Sequence, residues 1–321
     1  MKTYILGAGA SKSAGYPLAR ELAGELGRWM RSARRPAPLI LGDSRDLLDE
    51  LERHCGSLDS ADFEDVLTRL DPEGDVHLRS ALTRALQQFF DELRSHAKPD
   101  KYRQFAQKVV TSGDCVITFN YDVSVEPELK RAGKWEVADG YGFQVELSAP
   151  VRQSPVQVLK LHGSTNWVAL MDLVQGFQKV DPDRVYPDRP ILYSPELEFL
   201  GYQGLGDRKA REGADAGAHV TMILPERSKR FLWKDLFDCL WGKAEAALRE
   251  SEEIVVVGYS LPLADQRARA MILNRSRKGA CVTVCCGRDS DKIAREFRES
   301  GFTNVNWIQG STFEEWGART P

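Results

Sequence analysis

Short apolar runs recur along the chain, and several of them are apolar at every position rather than at every second one. They cover residues 3–6, 115–119, 156–161, 220–224, 254–258, 281–285 and 305–308. Continuous apolar runs are typical of strands in a sheet that is covered on both faces. Helical patterns separate many of the runs, notably at residues 234–250 and 289–300. This alternation predicts an α/β fold with a Rossmann-like, doubly wound and mostly parallel sheet.

Two segments depart from this alternation. Residues 18–110 have almost no strand pattern, and their apolar residues recur at helical spacing. Examples are Leu47, Leu48, Leu51, Leu82, Leu86, Phe89, Phe90 and Leu93. We predict a helical module here, inserted into one domain that spans residues 1–321. Residues 172–218 are rich in Pro, Gly, Asp and Tyr, which predicts an irregular loop or a lid.

Composition narrows the class of protein. The 321 residues are 42% hydrophobic and 28% charged, which is the balance of a globular protein with a substantial core. A formal net charge of -3 gives no strong basic field, so we expect no direct binding to nucleic acid. No apolar stretch is long enough to span a membrane, and strand-like sequence starts at once instead of a signal peptide. We therefore expect a cytoplasmic protein.

The six cysteines include no Cys-x-x-Cys pair, the usual mark of a four-thiolate zinc site. We expect no metal. Cysteines that lack obvious disulfide partners also fit a reducing compartment.

The first apolar run leads into a glycine-containing loop, Gly7-Ala8-Gly9-Ala10-Ser11. Closely spaced glycines after a strand let backbone N–H groups approach a pyrophosphate, and a helix N-terminus assists them. Lys12 stands where the dinucleotide fingerprint has its third glycine, and no acidic residue ends a second strand about twenty residues on. The loop therefore indicates a nucleotide phosphate but argues against an ordinary dehydrogenase; a simple tight turn is the alternative.

Three further apolar runs end in residues that carry chemistry. Asn120 and Asp122 follow the second run, His162 follows the third, and Gly258 ends the fifth, with Ser260 two residues later. Each has a structural alternative, because Asn and Asp also end strands by binding their own backbone, and a glycine often marks a turn. In an open parallel sheet the carboxyl ends of the strands meet at one edge, where ligands bind. The convergence of Gly, Asn, His and Ser at that edge predicts a functional site.

These motifs, in this order, resemble the sirtuin-like family. They are Gly-Ala-Gly-Ala-Ser at 7–11, Phe-Asn-Tyr-Asp at 119–122, Leu-His-Gly-Ser at 161–164 and Gly-Tyr-Ser-Leu-Pro at 258–262. The resemblance is to the bacterial branch of the family linked to anti-phage defence, and it extends from residue 4 to about residue 266. It implies NAD as the substrate, with binding of NAD or ADP-ribose. The NAD-binding residues that it implies are Gly7, Ala8, Gly9, Ala10, Ser11, Pro17, Asp122, Gly258, Tyr259 and Ser260, and the catalytic ones are Asn120 and His162.

Two departures concern the acyl-lysine chemistry of the deacylating sirtuins. Their acidic-aromatic-Arg stretch after the first loop is absent, since Leu18-Ala19-Arg20 follows Pro17 here. The zinc-ribbon cysteine pairs are absent as well. Both departures favour simple cleavage of NAD over acyl transfer.

The function predicted from the sequence is therefore hydrolysis of the nicotinamide–ribose bond, which gives nicotinamide and ADP-ribose, in an effector that depletes NAD. The pKa of an unperturbed imidazole lies near neutrality, so His162 suits the role of general base, with Asn120 orienting the ribose or the water. A non-catalytic NAD or ADP-ribose sensor is the alternative, and an NAD-dependent deacylase is a weaker one. We expect control by a homo-oligomer or by a defence partner protein.

Overall fold

A computed structural model describes residues 1–32, 44–70, 75–137, 139–143, 154–170, 191–193, 199–200, 218–223, 234–308 and 313. Elements are numbered over these residues. The strands are β1 (Lys2–Leu6), β2 (Cys115–Thr118), β3 (Gln157–Lys160), β4 (Gly163–Leu170), β5 (Ile191–Tyr193), β6 (Phe199–Leu200), β7 (Ala218–Met222), β8 (Glu253–Val257), β9 (Cys281–Cys285) and β10 (Val305–Trp307). The α-helices are α1 (Ala8–Ser11), α2 (Leu22–Ser32), α3 (Ser44–Cys55), α4 (Phe63–Arg69), α5 (Val76–His96), α6 (Asp100–Gln104), α7 (Val125–Arg131), α8 (Lys234–Glu250), α9 (Gln266–Arg269) and α10 (Ser290–Glu299).

Six strands form the main sheet, in the order β10-β9-β8-β1-β2-β3, and every neighbouring pair is parallel. From β1 the chain builds outward through β2 and β3, and it then returns to the other side of β1 with β8. The strand order therefore reverses between β1 and β8, which is the topological switch point of a doubly wound sheet. The predicted Rossmann-like α/β fold is confirmed.

The burial of the main strands explains why the apolar runs are continuous. Residues 254–257 of β8 and 115–118 of β2 are buried at every position, so neither face of these strands meets solvent. Helices cover both faces of such a parallel sheet, and an apolar side chain is favoured at each position.

A second, smaller sheet has the order β6-β5-β4-β7, and its pairs are antiparallel. The run at residues 220–224, which the sequence grouped with the strands of the main sheet, contributes to β7 here instead. Gly163 has a φ of +77°, a conformation that favours glycine, and at this point the chain leaves the parallel sheet and begins β4. Of the predicted loop or lid at residues 172–218, β5, β6 and Ala218 are described; the rest of that segment lies outside the described residues.

The described part of residues 18–110 contains helices and no strand. The recurring leucines of residues 47–51 lie on α3 and those of residues 82–93 on α5, as their spacing predicts. Helix α5 is joined to α2 by a hydrogen bond from Trp29 Nε1 to Glu92 Oε2 (2.8 Å), and to β4 by one from Gln87 Nε2 to the carbonyl of Thr165 (3.0 Å). The module is therefore packed against the small sheet. None of the helices in the described ranges combines the length and the apolar character needed to cross a bilayer.

Candidate active site

The predicted site residues lie at one edge of the main sheet. Strands β8, β1, β2 and β3 are adjacent and parallel, so their carboxyl ends form a row. The segments that follow them carry Gly258, Gly7, Asn120 and His162 in that spatial order. In such sheets ligands bind at the carboxyl edge near the point where the strand order reverses, which here lies between β1 and β8. The four motifs are thus neighbours in space at the switch point.

At the switch point the two glycine loops are in direct backbone contact. A Cβ on Gly7 would lie 2.6 Å from the carbonyl oxygen of Gly258, and one on Gly9 would lie 2.7 Å from the Gly258 Cα. Gly258 itself has a φ of +61°, and a Cβ there would meet the amide nitrogen of Ala10 at 2.3 Å. Glycine is required at these positions because the loops that follow β1 and β8 pack main chain against main chain.

Three amides of the first loop donate to carbonyls of the chain. Gly7 N–H donates to Val257 (3.0 Å), Gly9 N–H to Gly258 (2.9 Å), and Ala10 N–H to Gly7 (2.9 Å). These bonds join the loop to β8 and close the first turn of α1. The assignment of residues 7–11 to a phosphate stays a prediction, and in this conformation the glycines serve the close approach of the two loops.

Asn120 anchors the end of β2 to the first loop. Its Nδ2 donates to the carbonyl of Gly7 (2.9 Å) and to Ser11 Oγ (3.0 Å). Ser11 Oγ in turn donates to Asp122 Oδ2 (2.7 Å) and lies 2.8 Å from the hydroxyl of Tyr102. Both Asn120 and Asp122 are therefore held by one buried hydroxyl, and Asp122 Oδ1 also accepts from the amide of Ser124 (3.0 Å).

Tyr102 was not singled out from the sequence. Tyr102 lies on the short helix α6, and its sequence context indicates only a buried, apolar position on a helix. Burial raises the pKa of its phenol, and the charge of Asp122 raises it further. The Tyr102 phenol therefore remains neutral, and its hydroxyl is a hydrogen-bond partner of Ser11.

His162 is paired with a carboxylate from a distant part of the chain. Its Nε2 lies 3.1 Å from Asp265 Oδ2, and the two side chains are 10% and 5% exposed. The hydroxyl of Tyr259 donates to the same carboxylate oxygen (3.3 Å). The ring of Phe119 contacts the imidazole edge-on at 5.1 Å and stacks on Tyr259 at 4.2 Å between centroids. The imidazole is thus oriented by one carboxylate and one aromatic ring.

Asp265 is a second site residue that the sequence did not single out. It lies in the segment that follows Ser260 and directly precedes α9, so its local signal is that of a helix N-cap. Only the tertiary fold brings this segment over β1 and β2 to the end of β3. Of the remaining predicted residues, Tyr259 is buried and contacts Asp265, Ala8 and Pro17 are half-buried, and Ser260 is exposed.

A second acid–base pair lies deeper, at the end of β3. Lys160 Nζ donates to Glu126 Oε1 (3.0 Å), and both side chains are 0% exposed. Lys160 also donates to the carbonyl of Asp122. Burial raises the pKa of Glu126 and Lys160 opposes that rise, while Glu126 Oε2 has no hydrogen-bond partner among the described residues. Through its bonds to Glu126 and to the Asp122 carbonyl, Lys160 fixes the turn that follows β2.

The described residues contain no group of three or more His, Cys, Asp and Glu side chains placed to hold a metal ion. The six cysteines are free thiols. Cys115 and Cys285 are buried, and burial raises the pKa of the Cys115 thiol to about 12.

Comparisons with known proteins concern the fold alone. No protein-family model matches the chain, and no curated protein matches it. Among solved structures, 28 chains match. A Sir2 homologue–NAD complex aligns over 98% of this chain and 86% of its own, with 15% identity and a TM-score of 0.46. A mutant Sir2 homologue in complex with 2′-O-acetyl ADP ribose aligns over 93% of this chain and 91% of its own, with 16% identity and a TM-score of 0.43. A structure concerned with the mechanism and regulation of Sir2 enzymes aligns over 88% and 79%, with 16% identity and a TM-score of 0.37.

Proposed function

We propose that this protein is an NAD hydrolase that cleaves the nicotinamide–ribose bond. The observation that carries the proposal is the placement of Asn120 and His162 at the carboxyl ends of neighbouring strands, in the same row as the two glycine loops. The sequence motifs that resemble those of sirtuin-like proteins form this one edge of the sheet. At that edge the carboxylate-paired imidazole of His162 can serve as a base. The amide of Asn120 lies beside it in the row of strand ends, and it shares the Ser11 hydroxyl with the buried carboxylate of Asp122.

The proposed reaction requires a general base but no general acid. The C1′–N1 bond breaks with its electron pair leaving on the nicotinamide ring, which is already cationic and needs no acid. A water oxygen then bonds to C1′, and the proton released from that water goes to His162 and on to solvent. A positioned general base contributes about 10²–10⁴-fold to such a step. The products are nicotinamide, ADP-ribose and one proton.

Asn120 is proposed to orient the ribose or the attacking water. Its amide nitrogen is committed to Gly7 and Ser11, so the side chain is fixed before a ligand arrives. Fixed geometry lowers the entropic part of a barrier. We therefore assign to Asn120 an effect on turnover that exceeds its effect on binding.

The test is NAD consumption, with nicotinamide and ADP-ribose quantified by chromatography, for wild type, His162→Ala and Asn120→Ala. We expect each variant to lose about 10²-fold or more in kcat. His96→Ala is the matched control, because His96 is exposed on α5 and its ring hydrogen bonds are local. Wild-type turnover in His162→Ala would refute the assignment of the base.

Two other results have definite meanings. Demonstrable NAD binding by wild type without any product would replace the hydrolase with a non-catalytic sensor of NAD or ADP-ribose. Release of an acyl group from an acyl-lysine peptide would replace it with a deacylase.

We further propose the biological setting that the sequence motifs imply, an effector that depletes NAD in anti-phage defence. Such an enzyme needs control, and we propose that self-association or a partner protein supplies it, with the helical module at residues 18–110 as the contact surface. Light scattering together with NAD turnover, with and without proteins encoded beside it, tests this part. A monomer that is fully active alone would contradict it.

A further inference from the structure

We infer that Asp265 is the positioning residue for His162, and that it makes Nδ1 the basic atom of the imidazole. The inference rests on the proposed function insofar as it concerns turnover. The tautomer that it assigns is a property of the resting protein and is measurable without any substrate.

The assignment follows from hydrogen-bond chemistry. An ionised carboxylate only accepts, so the contact of 3.1 Å between His162 Nε2 and Asp265 Oδ2 requires a proton on Nε2. A neutral imidazole has one N–H, and the lone pair that accepts a proton is then on Nδ1. The Tyr259 hydroxyl donates to the same Oδ2 from the other side, and burial raises the pKa of that phenol, so it remains a donor. The carboxylate is thus surrounded by donors.

The position of Asp265 is itself strongly fixed. Its Oδ1 accepts from the amide of Ala268 (3.3 Å) and caps α9, while its own amide donates to the carbonyl of Pro262 (3.0 Å). Leu261 in the same loop has a φ of +51°, a left-handed conformation that is uncommon for a residue other than glycine. Arg269 Nη1 donates to the Leu261 carbonyl (2.7 Å) and holds the loop in this conformation. Backbone strain of this kind persists only where the surroundings enforce it, and it is concentrated at functional sites.

The arrangement follows the logic of a base that is oriented by a third group. The carboxylate fixes one tautomer and one ring orientation, and it stabilises the imidazolium that forms when the base takes a proton. The cap alone does not explain the choice of residue, since Asn caps a helix as well as Asp does. The pairing with His162 is a contact that uses the negative charge.

Asp265→Asn is therefore the informative variant, because it keeps the volume and the helix cap and removes the charge. We expect kcat/KM for NAD to fall about 10²-fold or more. Asp62→Asn is the matched control: Asp62 caps α4 through Glu64 N–H (2.8 Å) and no histidine is among its hydrogen-bond partners given by the structure, so its turnover stays at the wild-type level.

Two readouts separate positioning from a structural role. ¹⁵N NMR of the imidazole is expected to report the Nε2–H tautomer in wild type and a shift toward Nδ1–H in Asp265→Asn. In the His162→Ala background, Asp265→Asn is expected to cost less than twofold, because residues that act as a unit are not additive.

The inference has clear ways to fail. An Nδ1–H tautomer in wild type would overturn it, even if Asp265→Asn did not fold. So would an unchanged tautomer and turnover within twofold of wild type in a folded Asp265→Asn. A wild-type protein without NAD turnover would instead remove the proposed function, while the tautomer measurement would still decide the role of Asp265.

Discussion

Two acid–base pairs are formed by residues at the end of β3, one by Lys160 and the other by His162. They differ in burial, in position and in the segments that they join. Lys160 and Glu126 are 0% exposed and belong to the interior. His162 and Asp265 are 10% and 5% exposed and lie at the carboxyl edge of the sheet. The first pair joins β3 to the helix that follows β2, whereas the second joins β3 to the segment that follows β8.

The difference shows that burial and ionisable chemistry do not by themselves make a site. Breaking a buried pair by removing one partner leaves a charge without compensation, so its effect falls on folding. The edge pair includes an imidazole, the side chain that most often serves as a general acid or base, and it lies at the edge where open parallel sheets bind ligands. We therefore expect mutations of the inner pair to alter the free energy of unfolding, and mutations of the edge pair to alter turnover.

The largest effect on stability is expected from Lys160→Met. This variant leaves the Glu126 carboxylate buried with its main cation removed, and removal of one partner of a buried pair costs about 3–5 kcal/mol. His162→Ala is the comparison, with a smaller loss because Asp265 keeps its contacts to Tyr259 and to the α9 amide. Urea denaturation of the two variants measures both losses. A larger loss in His162→Ala would reverse the comparison.

The same variant has a pH dependence with a defined sign. Burial raises the pKa of Glu126 in the folded protein and Lys160 lowers it, so Lys160→Met raises that pKa further. A carboxyl whose folded pKa exceeds its unfolded value favours folding at low pH and loses that contribution as pH rises through the folded pKa. The penalty of Lys160→Met therefore grows with pH above the ordinary Glu range. Glu126→Gln in the same background is expected to abolish this growth, and persistence of the slope would assign it to another group.

A smaller loss is expected from Gly258→Ala, which separates the two loops at the switch point. The added Cβ meets the amide nitrogen of Ala10 at 2.3 Å, and overpacking of this kind costs about 1–3 kcal/mol. The left-handed conformation of residue 258 adds roughly 1–2 kcal/mol for a residue with a Cβ. Gly301→Ala is the matched control, since Gly301 is also left-handed but has open space around it.

For Gly258→Ala we expect NAD turnover to fall together with stability, because Gly9 and Ala10 must move when the loops separate. Gly301→Ala should show only the conformational cost and full turnover. Thermal unfolding and NAD consumption on the same samples measure both quantities. Equal stability losses in the two variants would mean that the close contact of the loops is not needed.

Much of this architecture was predictable because it depends on local pattern. The continuous apolar runs identified the strands of the main sheet to within one residue at each end, since most positions of those strands are buried. The location of Asn120 and His162 at one edge of the sheet was also predictable, because parallel strands bring their carboxyl ends together. The run at residues 220–224 was correctly predicted as a strand, but its place in the small antiparallel sheet was not predictable, because an apolar run does not specify its pairing partner.

The residues that were missed depend on contacts between distant segments. Asp265 has the local signature of a helix cap, and that role is real, so nothing in its own neighbourhood points to His162. Tyr102 has the signature of a buried helix position, and its hydroxyl meets Ser11 only in the folded chain. Sequence patterns identify which elements form, whereas the partners of a polar side chain depend on how those elements pack.

The smallest loss of stability is expected from Ser11→Ala. This variant tests whether the hydrogen bonds of Ser11 to Asp122 and Asn120 stabilise the edge of the sheet. Removing the hydroxyl takes away the donor at 2.7 Å to the buried carboxylate of Asp122, while the amide of Ser124 still serves its other oxygen. A buried acceptor that loses one partner costs about 1–3 kcal/mol.

Asn120 keeps its bond to Gly7 but loses the one to Ser11, so its side chain is less well fixed. We therefore expect a decrease in kcat for NAD cleavage beyond that of Ser95→Ala, an exposed serine on α5 whose loss should stay within about 0.5 kcal/mol. If Ser11→Ala matched Ser95→Ala in both denaturation and turnover, the Ser11 contacts would contribute to neither stability nor catalysis, and the contrast with the inner pair would rest on His162 and Asp265 alone.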